Sequence, residues 1–163
     1  MTCSEHRASW AQVLVGVWLS LTLNIQACEL VLSEHRSGIF LTRLTLNPSQ
    51  PSADIAFTHS VLGTPVLDRY VWRFSAQGWR AYLVEERFEG EGYGLASNAS
   101  TGEQLERYGA GWRLMLNRLV DPLVVRPLPA LKMRILVPDQ REQLLGQLSQ
   151  QSIQIRVENC PPN

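Results

Sequence analysis

The chain has one lysine, Lys132, and no net charge. The other 14 of its 15 basic residues are arginine, and 15 acidic residues balance them. No excess positive field therefore draws the molecule onto nucleic acid or anionic lipid. Metal and catalytic signatures are missing too. There is no His-x-His, His-Glu-x-x-His or Cys-x-x-Cys, and no Gly-x-Ser-x-Gly nucleophile elbow. "GEGYGL" (Gly90–Leu95) lacks the spacing of a phosphate loop and suits a bulge or tight crossing after a strand. The tryptophans are dispersed and form no stacking platform for bases. No cofactor is expected. What remains is a chain of 163 residues, 45% apolar, enough for one ordinary core.

The apolar run "VLVGVWLSLTL" (Val13–Leu23) is too short to span a bilayer, which takes roughly 20 apolar residues. His6 and Arg7 precede it, and "NIQAC" (Asn24–Cys28) follows, with small Ala27 before Cys28. That order reads as an export signal over residues 1–27, leaving residues 28–163 as one folded domain outside the cytoplasm, in a bacterial periplasm or cell envelope. Cys3 leaves with the leader. "IQAC" resembles a lipobox, so Cys28 is a candidate for lipidation, and membrane contact is expected only through the leader or that lipid. Cys28 is equally a candidate for a disulfide with Cys160 at the other end of the domain. The two fates exclude each other, and pairing leaves no orphan thiol in an oxidising compartment.

Beyond the leader the periodicity is mostly two. "CELVLSE" (Cys28–Glu34), "GIFLTRLTL" (Gly38–Leu46), "IAFTHS" (Ile55–Ser60), "PVLDRYVWRF" (Pro65–Phe74), "WRAYLVEERF" (Trp79–Phe88), "GWRLMLNR" (Gly111–Arg118), "LVVR" (Leu123–Arg126), "LKMRILV" (Leu131–Val137) and "IQIRVEN" (Ile153–Asn159) read as strands. "SAQG" (Ser75–Gly78) joins two of them as a hairpin. "DQREQLLGQLSQQ" (Asp139–Gln151) places Leu144, Leu145 and Leu148 at helical spacing and reads as one short helix. Short strands with turn signals between them indicate an all-β fold: a single antiparallel β-sandwich or open barrel.

Alternation along three strands singles out a candidate polar cluster. His59 shares a face with Ile55 and Phe57. Asp68 shares one with Val66, Tyr70 and Trp72, and Glu86 one with Tyr82, Val84 and Phe88. Inward-facing ionisable groups need partners, so the three are expected to meet, as an internal hydrogen-bond cluster or as a ligand site. Ser60 next to His59 is a poor nucleophile–base pair, because neighbours on a strand point to opposite faces.

"FTHSVLGTPVLDRY", "EERFEGEGYGL", "GWRLMLNR" and "PLVVRP" resemble, in order, the motifs of the bacterial DUF1850 family. His59, Ser60, Val61, Pro65, Val66, Asp68, Arg87, Phe88, Gly92, Gly94, Leu95 and Arg126 fall on its positions. Ala96 replaces the proline usual after the glycine turn. The family glutamate aligns with Glu85 or Glu86, and alternation selects Glu86. The resemblance implies a small exported or membrane-attached protein, often encoded beside tripartite ATP-independent periplasmic (TRAP) transporters of the TAXI type. The expected function is that of a non-enzymatic envelope accessory protein whose partners are TRAP transporter subunits. A small-ligand or metal-binding β-domain using His59, Asp68 and Glu86 is the alternative, and a hydrolase is an outlier.

Overall fold

A computed structural model describes residues 28–162. The expected leader lies outside the described residues. Among the described residues there are eleven strands: β1 (Glu29–Glu34), β2 (Phe40–Thr45), β3 (Ser52–Thr58), β4 (Pro65–Ser75), β5 (Gly78–Phe88), β6 (Gln104–Tyr108), β7 (Gly111–Leu119), β8 (Leu123–Val125), β9 (Arg134–Leu136), β10 (Gln143–Leu144) and β11 (Ile153–Glu158). They form two antiparallel sheets. One has the order β2-β1-β11-β8, and the other β10-β9-β3-β4-β5-β7-β6. Apolar side chains of both meet in one core, with Leu30, Leu32, Ile153 and Ile155 from the smaller sheet and Ile55, Val66, Trp72 and Leu114 from the larger. The mainly-β expectation holds, in its sandwich form.

The first and last strands are neighbours. β1 pairs with β11 from Glu29↔Glu158 to Glu34↔Ile153, which brings Cys28 and Cys160 together in a disulfide with Cα atoms 4.0 Å apart. A bonded sulfur cannot carry a thioether lipid, so the lipobox reading of Cys28 gives way to pairing. β1 is buried on both faces. Val31, on the side away from the core, lies between Arg43 and Arg156 in register, and Arg156 also donates to Ser33 Oγ at 2.8 Å. The aliphatic stems of long arginines can cover such a position while their heads stay wet.

The expected helix over Asp139–Gln151 is mostly something else. Residues Gln143–Leu144 pair with β9, and only Leu145–Leu148 are helical (α1). Leu145 is fully buried and its N–H bonds to Met133 O at 2.9 Å, so tertiary contacts override a leucine spacing shared by helix and non-helix. β6 is an edge strand of mostly exposed, polar residues, "QLERY", without the apolar alternation that marks the others. Gly111, where β7 begins, is required by close approach: a Cβ there would stand 2.2 Å from Phe88 O.

Candidate functional site

The structure brings two of the three expected cluster residues together. Asp68 and Glu86 are direct cross-strand partners on β4 and β5, and Ile55 of β3 lies opposite Asp68 on the other side. Alternation alone mislocates part of β5, because the strand holds a bulge. Tyr70 pairs with Leu83 and Arg69 with Glu85, leaving Val84 as the extra residue. Core-facing residues therefore run Ala81 and Leu83 before the bulge, then Glu86 and Phe88 after it. Tyr82 is turned outward, with Arg73 over its ring at 4.7 Å.

The Asp68 carboxyl is largely buried, and its Oδ1 has no hydrogen-bond partner among the described residues. Burial, and then the charge of Glu86, push its pKa up to about 7, against a smaller opposing pull from the Tyr70 hydroxyl. Glu86 is also raised, by burial first. Arg118 opposes that shift and Glu103 adds to it. Arg118 is itself held by Glu103 at 2.6 Å. The two carboxyls are thus neighbours whose charged forms are both disfavoured, Asp68 by burial and by Glu86, Glu86 by burial.

His59 does not join them. It sits one residue beyond β3 and four residues from Ile55, about 13 Å along the strand direction. Its work is local. Nδ1 accepts the N–H groups of Val61 and Leu62, each at 3.2 Å, which leaves Nε2–H to donate to Tyr93 O at 3.2 Å. The imidazole thereby closes its own β3–β4 loop and ties it to the loop that follows β5. Thr64 Oγ1 adds a second tie, to Glu89 O at 2.8 Å. Shared alternation placed the three residues on comparable faces but said nothing about their positions along the sheet.

Of the other family-motif residues, Val66 and Phe88 are buried in the core, and several of the rest serve the same loops or remain at the surface. Ser60 and Pro65 are exposed, and Arg126 is exposed beyond β8. Gly92 and Gly94 adopt left-handed φ of 77° and 94°, which explains glycine in that turn. His59→Ala should cost about 1 kcal/mol of global stability while making the loop after β5 markedly more susceptible to limited proteolysis. Ser60→Ala should stay within about 0.5 kcal/mol of wild type. Urea denaturation and a timed protease digest would check both. An unchanged digest for His59→Ala would remove the latch role.

A feature missed in the sequence lies on the opposite face of the larger sheet. Asp54, Arg69 and Glu85 stand side by side on β3, β4 and β5. Arg69 forks onto Asp54 with two 2.8 Å hydrogen bonds and reaches Glu85 at 3.5 Å. Arg87 also bonds Glu85. Two arginines and the surrounding chain leave Glu85 only 5% exposed, although it faces away from the core. The Tyr108 ring is flanked by Arg87 and Arg113 at 4.8 and 4.9 Å, and Arg113 pairs with Glu106. The signal was present as charges of opposite sign at alternate positions of adjacent strands, but register is needed to read it. Among the described residues no group of three His, Cys, Asp or Glu side chains is placed to hold a metal ion.

Residues 54–144, more than half of the chain, match the family described as a domain of unknown function, DUF1850. The chain belongs to the DUF1850 family. The match begins in β3 and ends in β10, so it takes in the larger sheet and β8. Strands β1, β2 and β11 of the smaller sheet lie outside it. No curated protein and no solved structure matches the chain. Within DUF1850 both carboxyls of the Asp68–Glu86 pair, the His59 latch and the paired arginines fall inside the matched range.

Proposed function

We propose that this DUF1850 chain is an exported, non-enzymatic accessory protein of the bacterial cell envelope that assists a TAXI-type TRAP solute transporter. The observation that carries the reading is the Cys28–Cys160 bond, which joins the residue directly behind the expected leader to the end of the last strand. Structural disulfides persist in oxidising compartments such as the periplasm. The transporter association rests on the family resemblance. Its non-enzymatic character is supported at His59, where both ring nitrogens are engaged by backbone groups and neither is left to activate Ser60. Among the described residues no helix is long and apolar enough to cross a membrane. On this reading the domain meets its partners through its own surface.

Purification of a C-terminally tagged chain from crosslinked native envelopes tests the proposal. TRAP membrane or solute-binding subunits should co-purify, identified by mass spectrometry. Recovery from the cytosol, or from envelopes with no transporter subunit, would overturn it.

A further inference from the structure

The geometry points to a binding site for a small organic dicarboxylate in the groove on the outer face of the larger sheet. The groove holds about 370 Å³, within the range of small-molecule sites. Its floor and ends are set by register. Arg134 on β9, Ala56 on β3, Leu67 on β4 and Arg87 on β5 are successive cross-strand partners, so all four point to the same side in one row. Two apolar side chains thus lie between two guanidinium groups whose backbones are three strand spacings apart, about 14 Å. The Tyr108–Trp112 turn forms one wall, and Glu89 is the acidic side chain at the rim.

Both arginines are held in ways that leave capacity for a ligand. Arg87 is bonded through Nε to Glu85 and braced against the Tyr108 ring. Arg134 is ion-paired with Glu142, Nε standing 3.3 Å from a carboxylate oxygen without a hydrogen bond. In each case the terminal amino groups remain, the pair of donors that suits a carboxylate. Ring and carboxylate fix the Arg87 head before any ligand arrives, which lowers the ordering cost of binding. An anion with a charge at each end and a short hydrocarbon middle matches arginine, apolar floor and arginine in that order. A compact inorganic anion would meet one arginine and leave the floor unused. This site is separate from the Asp68–Glu86 pair, which faces the core, and it stands whether or not the chain assists a transporter.

The test is titration of the mature, disulfide-bonded chain with succinate, glutarate and adipate, followed by calorimetry or by amide shifts of the Ala56, Leu67 and Ala110 region. Sulfate and butyrate serve as controls. At least one dicarboxylate should bind saturably, and more tightly than butyrate or sulfate. Arg134→Gln should weaken it about tenfold or more, the worth of one charge-assisted contact, without loss of fold, because its partner Glu142 is an exposed residue. Arg87→Gln should do the same, but it also strips a cation from buried Glu85, so its fold is checked by circular dichroism and Arg134→Gln decides the matter. Absence of saturable binding by all three dicarboxylates, equal binding of sulfate, or wild-type affinity in Arg134→Gln would each overturn the proposal.

Discussion

Removing the Cys28–Cys160 bond is expected to lower the unfolding free energy by about 4–5 kcal/mol, the largest single effect in the molecule. The bond closes a loop with a sequence separation of 132 residues, and by chain entropy a cross-link of that span restricts the unfolded ensemble by about 5 kcal/mol. It also reinforces the pairing of the first and last described strands, where Asn159 donates to Glu29 at 2.9 Å: β1 and β11 are central in the smaller sheet, flanked by β2 and β8. Trp79 of the larger sheet donates its indole N–H to Cys160 O at 3.2 Å, so the bonded end is tied to both layers. The Cys28→Ser/Cys160→Ser double variant, compared with wild type by urea denaturation with and without reductant, checks the expectation. Wild type with reductant should behave as the variant does. Equal stability in all three cases would mean that the pairing contributes little.

A second large effect belongs to Asp68. Its folded-state pKa is raised to about 7 from an ordinary 3.8. The folded chain therefore holds a proton more tightly than the unfolded chain between those values. Stability from this group is fully present below about pH 4, falls as pH rises, and is lost once pH passes about 7. Three pH units correspond to about 4 kcal/mol as an upper bound. Glu86 is raised as well and slopes the same way. Asp68→Asn, which keeps the shape and removes the charge, should equal wild type near pH 4 and exceed it by as much as about 4 kcal/mol at pH 8. Paired denaturation curves at several pH values follow this group together with its coupling to Glu86, since titrations elsewhere in the chain cancel in the difference. A constant difference across the range would contradict a buried carboxyl with a raised pKa.

The fold was legible where apolar alternation is strong. β4, β5, β7 and β11 are near the bounds that the pattern alone suggests, because one face of each is committed to the core. β6 was not, since an exposed edge strand needs no apolar face. The stretch around Leu144 and Leu145 satisfied a helical spacing, yet burial of Leu145 against the Met133 region selected a strand and a single turn. The site was half legible. Alternation correctly turned Asp68 and Glu86 to one face, and the choice of Glu86 over Glu85 follows the same logic, although the Val84 bulge shifts the alternation just before them. His59 was misassigned because period-two reasoning fixes the face of a residue and leaves its distance along the strand undetermined. The Asp54–Arg69–Glu85 ladder and the Arg87–Arg134 groove depend on pairing partners that are distant in sequence, which no local pattern encodes.

The proposed export and the disulfide closure predict one molecular species, so a single mass tests both. Intact mass spectrometry of the native chain from the envelope fraction, without reductant and after alkylation of free thiols, should give a polypeptide beginning at Cys28, two hydrogens lighter than its reduced form, unalkylated and without lipid. A chain that retains residues 1–27, that carries alkylated thiols at Cys28 and Cys160, or that bears a diacylglycerol on Cys28 would contradict the proposal of an exported, disulfide-closed domain.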